Sequence, residues 1–443
     1  MSSTKRKVIA FSIALALVLS MFLGACNNNT GGGGGGGDTS SGSAPTTTDS
    51  GTDASGDEIL VGYVTAFTGP LAVFTVATRW VDEMCLEEIN KDGGIEVDGV
   101  KKKVRVIYGD TESDPTTATE VAQKMVLENK VNILVGAWTP TNSGPVAVVG
   151  ERYGVPTYIS NSPAESWIES GGPYYWAMGT LFYMSDLLTD SIGGMKKLDT
   201  NKKVGFLFDS EVDGIVQSAL EREMLEAEGF TVFDPGRFPM DTVDYTDLIR
   251  KIQAENCDIV VASLIGPQFS TAWKQFHENN YIPKGFVIGK ALQFQSDADA
   301  LGEGMAHGLI AEVHWDRTYP FNSPLLGMNC EQLAEKWETE QGIQFPMTLG
   351  YDVSLWEVLN DALTRAGTLD PESIRQAILA TDMEGIYGHL TFDENQVASV
   401  PCVTGQWHKG ETWSYEKTII SSITFPAIPS FPPFILPNTT QGS

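Results

Sequence analysis

Residues 59–64 read Ile-Leu-Val-Gly-Tyr-Val, and an amphipathic stretch follows at 79–90 after a loop rich in turn residues. The first segment is apolar and rich in β-branched side chains, which predicts a strand buried on both faces. The second segment carries Trp80, Met84 and Ile89 on one side, which predicts a helix that covers the strand. A buried strand followed by a covering helix is the repeating unit of a parallel α/β sheet.

The same unit recurs along the chain in two series. The further strands predicted in the first series are 104–108, 131–135 and 155–159. Those of the second series are 204–208, 230–233, 258–263, 285–288 and 308–313. Late helices are predicted at 330–341, 353–366 and 371–380. Because the rhythm occurs twice, the sequence predicts an α/β protein with two similar lobes, each built on a parallel sheet.

The N-terminus has the features of an export signal. Lys5-Arg6-Lys7 precedes an apolar run at 8–19 and then Leu23-Gly24-Ala25-Cys26, which predicts a signal peptide over residues 1–25 that is too short to span a membrane. Its end resembles a bacterial lipoprotein signal, which implies cleavage before Cys26 and lipid on its thiol. An ordinary signal peptide with an incidental cysteine, or an uncleaved anchor, is the alternative. Residues 26–57 are polar, include seven consecutive glycines and are predicted to form a disordered linker.

The composition limits the possible partners. The chain has 57 acidic and 29 basic residues, a net charge of −28. This excess of acid argues against binding to nucleic acid or to an anionic membrane surface. No second apolar run is long enough to span a membrane, so the lipid is the only membrane contact expected. The proline-rich tail, 423–443, is predicted to be neither a helix nor a span.

The cysteines and histidines show no metal-binding spacing, and we expect neither a metal nor a cofactor. Cys85 and Cys257 fall in apolar segments and are predicted to be buried. A disulfide between Cys330 and Cys402 is possible in an exported protein. The acidic residues at 110, 112 and 114 alternate like a cation site, but helix capping is the favoured interpretation.

Candidate site residues follow the predicted strands, because ligands of open parallel sheets bind beyond the carboxyl ends of the strands. Two such loops are rich in hydroxyl and amide groups. Their candidates are Trp138, Thr139, Thr141 and Asn142 in one loop, and Ser160, Asn161 and Ser162 in the other. Both loops lead into helices whose N-terminal N–H groups favour an anionic group such as a carboxylate.

Several short motifs together resemble one family. They are Thr68-Gly69-Pro70, Gly93-Gly94-Ile95, Ser113-Asp114-Pro115, Gly154-Val155-Pro156 and Gly388-His389-Leu390-Thr391-Phe392-Asp393. In this order they resemble the extracytoplasmic solute-binding proteins of branched-chain amino acid ABC transporters, the leucine/isoleucine/valine-binding type, over roughly residues 58–407. The resemblance implies two Rossmann-like lobes joined by a three-crossover hinge, the type I periplasmic-binding fold. It also implies closure on a small ligand, delivery to ABC permease subunits and no catalysis; we expect a monomer.

This resemblance also sets the expected domain bounds. The first lobe is expected to comprise residues 58–178 and 314–384, and the second lobe residues 179–313 and 385–422.

The resemblance implies roles for particular residues. Phe74 matches the aromatic residue that covers the ligand, and the two polar loops match those that hold its carboxylate. Asp213 stands where the family has a tyrosine, and the family's ammonium-binding glutamate falls near Lys290, so that carboxylate is absent. Asp213 replaces it as the ammonium partner, or the ligand carries no ammonium. We therefore expect a larger or aromatic carboxylate rather than leucine, isoleucine or valine.

Some candidates have a structural alternative. Trp138 lines the pocket or packs within its lobe. Phe182 and Tyr183 line the cleft or pack under the hinge. Asp213 is a ligand contact or a helix cap, and Lys290 is a site residue or a solvated lysine.

The sequence thus predicts a substrate-binding lipoprotein of an ABC importer. A ligand-sensing receptor subunit with the same fold is the alternative. A hydrolase is disfavoured because the sequence contains neither a G-x-S-x-G motif nor a recognisable metal or Cys/His set.

The lipid-anchor prediction can be tested with Cys26→Ser. We expect the variant to be released from the membrane while its ligand binding is unchanged, because Cys26 precedes a linker that cannot be part of a core. Membrane fractionation after a high-salt wash measures the release. Retention of the variant in the washed membrane fraction would contradict the anchor.

Overall fold

The computed structural model describes residues 58–169, 171–172, 174–431 and 434–437. The predicted signal peptide, Cys26 and the predicted linker lie outside the described residues. Each strand and helix predicted from the sequence has a counterpart in the structure.

The strands succeed one another along the chain and are numbered in that order. They are β1 (Glu58–Thr65), β2 (Ile95–Val97), β3 (Val100–Asp110), β4 (Ile133–Ala137), β5 (Thr157–Pro163), β6 (Ala177–Phe182), β7 (Lys203–Asp209), β8 (Thr231–Phe233), β9 (Arg237–Phe238), β10 (Ile259–Leu264), β11 (Gly285–Lys290), β12 (Ile310–Val313), β13 (Asn322–Ser323), β14 (Met328–Asn329), β15 (Asp382–Gly385), β16 (Gly388–Thr391), β17 (Val397–Ser399), β18 (Val403–Lys409) and β19 (Tyr415–Ser421).

The α-helices alternate with these strands. They are α1 (Thr78–Asn90), α2 (Pro115–Leu127), α3 (Pro140–Tyr153), α4 (Ala164–Glu169), α5 (Met184–Met195), α6 (Val212–Ala227), α7 (Thr246–Ala254), α8 (Gly266–Glu278), α9 (Gln295–Ala300), α10 (Cys330–Gln341), α11 (Thr348–Ala366) and α12 (Pro371–Leu379).

Two main sheets form the body of the described chain. The first has the order β17-β6-β5-β4-β1-β3-β2, parallel except for β2. The second has the order β19-β18-β12-β11-β10-β7-β8, in which β18 runs antiparallel to both of its neighbours, β12 and β19. The central strands are buried along their length, as their uninterrupted apolar sequences predict. We call each sheet with its helices a lobe.

The chain passes between the two sheets three times, after β6, β12 and β17. The pairing of the strands corrects two of the expected lobe boundaries. The first lobe extends through β6 to Phe182 rather than ending at 178. Residues 385–399 also belong to it, because β17 pairs with β6 and Leu390 is buried in the same core as β1. The second lobe therefore resumes at β18 rather than at 385. Strand β17 is only three residues long, too short for its pattern to be recognised in the sequence.

Aspartate side chains at and just after the end of β3 hold a helix start and a neighbouring loop in place. The Asp114 carboxylate accepts hydrogen bonds from the backbone N–H groups of Thr116 and Thr117, both at 2.8 Å, at the start of α2. Asp110 accepts from the N–H groups of Phe67 and Thr68 in the loop after β1. In the described part of the chain, no cluster of three potential metal-ligating side chains is found. Asp114 thus caps α2, as the favoured interpretation predicts.

The C-terminal segment docks on the second lobe. Ile428 is buried, and the Phe431 N–H donates to the Ile419 carbonyl at 2.7 Å. Further along, the Ile435 N–H donates to Gln406 Oε1 at 2.8 Å, and Gln406 Nε2 donates back to the Ile435 carbonyl. The described tail residues are irregular, as their prolines predict.

Cys85, Cys257, Cys330 and Cys402 are all buried free thiols. The Cys330–Cys402 disulfide that the sequence left open is therefore absent. Among the helices of the described residues, none combines the length and apolar composition needed to cross a membrane.

A buried pair of carboxyl groups lies between α1 and α11 in the first lobe. Asp82 accepts from Trp356 Nε1 at 2.6 Å and from the Tyr108 hydroxyl at 2.8 Å. Asp352 accepts from the Tyr63 hydroxyl at 3.2 Å. Burial raises the pKa of Asp82 to about 7, and burial together with the nearby charge of Asp82 raises that of Asp352.

This pair predicts a pH dependence of stability. Because the folded pKa of Asp82 is raised, the folded state holds a proton that the unfolded chain releases at lower pH. The contribution is therefore present below about pH 4 and lost as pH rises through about 7. We expect Asp82→Asn to reduce the loss of unfolding free energy between pH 5 and pH 8 by on the order of 2–4 kcal/mol. Urea unfolding at both pH values measures this.

The exposed Glu96→Gln variant is the control and should keep the wild-type pH slope. An Asp82→Asn slope equal to that of the wild type would contradict the assignment.

Candidate functional site

A cavity lies between the two lobes, at the carboxyl ends of their parallel strands. Its lining comes from the first lobe, the second lobe and the first crossover, and comprises Phe74, Trp138, Thr139, Pro140, Asn161, Pro163, Phe182, Met184, Leu187, Asp213, Gln217, Lys290, Gln293, Glu312 and His314. Its volume is about 60 Å³, smaller than the roughly 150 Å³ cavity that holds benzene in an engineered protein. A ligand of that size therefore needs movement of the lining or of the lobes to enter.

The first-lobe side is built from the turn between β4 and α3. Trp138 and Thr139 have positive φ angles of 63° and 62°, a strained conformation for a β-branched threonine. The Ser143 hydroxyl and the N–H groups of Asn142 and Ser143 all donate to the Thr139 carbonyl and hold the turn. Pro140, which has no backbone N–H, then begins α3. Because the N–H groups of Asn142 and Ser143 already donate to the Thr139 carbonyl, it is the positive end of the helix dipole that favours an anion here.

Aromatic rings form one wall of the cavity. Phe74 stacks on Trp138 with ring centroids 5.7 Å apart, and Phe294 of the second lobe meets Phe74 edge-on at 5.5 Å. Phe182 contacts the His314 ring edge-on at 4.8 Å. Trp138 is 1% exposed, and its Nε1 has no hydrogen-bond partner among the described residues. The wall offers flat apolar surface with one N–H donor still available.

A charged triad forms part of the second-lobe side. Lys290 Nζ lies 2.9 Å from Asp209 Oδ2 and 3.0 Å from Asp213 Oδ2. Burial opposes the charge on Lys290, but the Asp213 and Asp209 carboxylates outweigh it and raise its pKa. Burial raises the pKa of Asp209, and Lys290 partly offsets this shift. Lys290 is thus an ion-paired pocket residue rather than a solvated one, and Asp213 already has a cationic partner.

A second polar group at the cavity comprises Gln293, Glu312 and His314. Gln293 Nε2 donates to Glu312 Oε2 at 2.6 Å, and His314 Nε2 lies 3.2 Å from the same oxygen. Gln293 Oε1 and His314 Nδ1 have no hydrogen-bond partner in the part of the chain that the structure describes. Glu312 thus places a carboxylate on the second-lobe side of the cavity.

The structure brings six of the ten predicted binding residues into the cavity lining. They are Phe74, Trp138, Thr139, Asn161, Asp213 and Lys290. The other four, Thr141, Asn142, Ser160 and Ser162, are not part of the lining. The Asn142 side chain instead accepts from the Thr111 hydroxyl at 3.0 Å, and the Ser160 carbonyl accepts from the Trp138 N–H at 3.0 Å. These two residues support the loop that carries Trp138.

Several lining residues were missed in the sequence. Glu312 and His314 stand at the carboxyl end of β12, a strand that was predicted, so the rule applied to the other strands would have found them. Gln217 lies one turn after Asp213 on α6. Of the two residues left open, Phe182 lines the cavity, whereas the Tyr183 hydroxyl donates to Asp393.

The fold and the cleft define a two-lobed protein that binds a small ligand between its lobes. Residues 58–412 match the sequence profile of the periplasmic binding protein family, and the chain belongs to that family. Membership of this family implies that the protein works outside the cytoplasm.

Relatives and solved structures agree with this placement. The chain is 23% identical over 398 residues to Leu/Ile/Val-binding protein homolog 7 of Brucella abortus, covering 85% of this chain and 96% of the relative. The leucine-binding protein LivK of Thermotoga maritima superposes with a TM-score of 0.71 at 18% identity, covering 83% of this chain and 99% of that one.

A second solved structure is the solute-binding protein of an R. palustris ABC transporter in complex with 4-hydroxybenzoate. It superposes with a TM-score of 0.67 at 18% identity, covering 82% of this chain and 96% of that one. The family and these neighbours are solute-binding proteins rather than enzymes.

Proposed function

We propose that this protein is the extracytoplasmic substrate-binding lipoprotein of an ABC importer. It captures a small carboxylate-bearing ligand with an aromatic body between two closing lobes and presents the closed form to permease subunits. The observation that carries this proposal is the cleft cavity, in which an anion-favouring helix start faces a stacked aromatic wall and a cluster of charged side chains.

The ligand carboxylate is assigned to the start of α3. The positive end of the α3 dipole favours negative charge, and the Thr139 hydroxyl at this end has no partner among the described residues. Asn161, which is 6% exposed and has a φ of 54°, lines the cavity from the C-terminal part of β5. These groups bind a carboxylate without a full positive charge.

The ligand body is assigned to the surface formed by Phe74, Trp138 and Phe182. Aromatic side chains of this kind favour flat or broad apolar ligands. We therefore expect an aromatic carboxylate to bind better than leucine, isoleucine or valine. The R. palustris neighbour solved with 4-hydroxybenzoate supports this class, whereas the names of the Brucella relatives refer to the branched-chain amino acids.

An ammonium group on the ligand has Glu312 as its better partner. Asp213 shares Lys290 with Asp209 at salt-bridge distance. The Glu312 carboxylate has a glutamine and a histidine beside it instead. An amino acid ligand therefore places its ammonium near Glu312 rather than near Asp213, which was one of the two alternatives left open by the sequence.

The lipid anchor rests on the sequence around Cys26, since this residue lies outside the described part of the chain. Its order of basic residues, apolar run and Leu-Gly-Ala-Cys supports the proposal. The Cys26→Ser variant tests it.

Calorimetry on the Cys26→Ser protein tests the ligand assignment with benzoate, 4-hydroxybenzoate, phenylalanine and leucine. We expect at least one aromatic carboxylate to bind more tightly than leucine. Trp138→Leu should weaken that binding by about tenfold or more, because the stacked wall is lost. The exposed Tyr175→Leu variant is the matched control and should bind as the parent does.

Glu312→Gln tests the contribution of the ligand's ammonium group separately from that of its carboxylate. We expect it to weaken phenylalanine binding by roughly a hundredfold and to leave benzoate binding within about twofold, because only the amino acid has an ammonium to lose its partner. The exposed Glu384→Gln variant controls for the loss of one charge. Submicromolar leucine binding without binding of any aromatic carboxylate would contradict the proposed ligand class.

A further inference from the structure

A second, smaller cavity adjoins the cleft cavity within the second lobe. Leu187, Gln217 and Glu312 line both cavities, so the smaller one continues inward from the ligand site. Its volume is about 10 Å³, which is close to the space needed for a single water-sized group. We call it the inner cavity.

Glu221 lines the inner cavity and is fully buried. Its Oε2 accepts from Gln217 Nε2 at 3.2 Å, while its Oε1 has no hydrogen-bond partner among the described residues. The Thr404 hydroxyl, 1% exposed, lines the same cavity and also has no partner in the described chain. Buried polar groups are nearly always paired, so two unpaired ones beside one small cavity indicate that something enters it.

Polar residues on one face of α6 extend from the cleft cavity to the inner cavity. Asp213, Gln217 and Glu221 recur every four residues and therefore share one face of the helix. Asp213 lines the cleft cavity, Gln217 lines both cavities and Glu221 lines the inner one. A helix that only packed on its sheet would have apolar residues along this face.

Gly289 keeps the inner cavity open. A Cβ at this position of β11 would lie 2.9 Å from Glu312 Oε1 and 3.5 Å from Gln217 Oε1. A glycine inside a strand often marks a place where a ligand or another group approaches closely. Alanine at this position would fill part of the space without removing any polar group.

We propose that Glu221 determines ligand specificity: the inner cavity receives one hydroxyl or amino group at the end of the ligand remote from its carboxylate, and this group hydrogen-bonds to Glu221 and Thr404. The inference rests on the proposed function, because it extends the same ligand site. It narrows the ligand class to aromatic carboxylates with one terminal hydrogen-bond donor.

The state of Glu221 suits this role. Burial raises the pKa of its carboxyl group to about 8, and the nearby Glu312 also raises it, although the Gln217 hydrogen bond lowers it. At neutral pH the carboxyl group is therefore mostly protonated. A neutral carboxyl group both accepts and donates a hydrogen bond, so it pairs with an uncharged hydroxyl without needing a counter-ion.

The test compares ligand pairs that differ by one terminal hydroxyl group, benzoate with 4-hydroxybenzoate and phenylalanine with tyrosine. Calorimetry on the Cys26→Ser protein gives the affinity ratio within each pair. We expect the hydroxylated member of at least one pair to bind about tenfold more tightly or better, because a site built for a hydroxyl rejects the analogue that lacks it.

Two variants then test whether the preference for the hydroxylated ligand depends on the inner cavity. Glu221→Met should reduce the affinity ratio to about twofold or less by removing the hydrogen-bonding group. In the benzoate pair, whose members carry no ammonium for Glu312, Gly289→Ala should weaken only the hydroxylated member by filling the inner cavity. Glu223→Met, on the exposed face of the same helix, should keep the parent ratio. Thermal melting of each variant checks that it is folded. If Glu221→Met does not fold, Gly289→Ala decides the question.

The outcomes separate the two proposals. Equal affinity within every pair that binds would contradict the role of Glu221. An affinity ratio that is unchanged in Glu221→Met or in Gly289→Ala would contradict it as well. Either result would assign the inner cavity to a structural water and leave the proposed function standing. No binding of any of the four compounds would overturn the proposed ligand class, and the role of Glu221 with it.

Discussion

Parallel strands must be joined by connections that return outside the sheet, and so the main strands of such a sheet all end at one edge. In this chain two sheets of this kind are linked by three crossovers after β6, β12 and β17. The carboxyl ends of both sheets then meet at one cleft, and the lining residues at or just beyond the ends of β4, β5, β7 and β11 owe their positions to this constraint. The position of the candidate site is thus a consequence of strand direction.

Carboxyl groups around the cleft are stabilised in two ways, by ion pairing or by protonation. At its surface, Lys290 lies between Asp209 and Asp213 and compensates two carboxylates with one ammonium. Deeper in the second lobe, Glu221 has no ionic partner among the residues that the structure describes, and burial raises its pKa instead. A buried acid that has no ion pair is neutral rather than charged when water is excluded from it. The first arrangement keeps charge near the ligand, and the second provides an uncharged hydrogen-bonding group behind it.

The sequence was informative where one physical rule dominates. Long apolar strands such as β1 and β10 and capped helices such as α2 follow from local pattern alone, and the polar turn at Trp138 and Thr139 follows from their place after a strand. The sequence was less informative where tertiary pairing decides. Strand β17 has three residues and exists because it pairs with β6, which moved the lobe boundary. Side-chain direction also mattered. Thr141 and Ser162 are next in sequence to lining residues but are not part of the lining. Glu312 was missed although its strand was predicted.

The central claim is that the ligand is captured by closure of the two lobes on a cavity that is small when they are together. Small-angle X-ray scattering of the Cys26→Ser protein, with and without a saturating ligand identified by calorimetry, tests it most directly. Closure predicts a smaller radius of gyration in the presence of the ligand, because the lobes move apart to admit it and together to hold it. A radius of gyration that does not change on saturation would contradict closure.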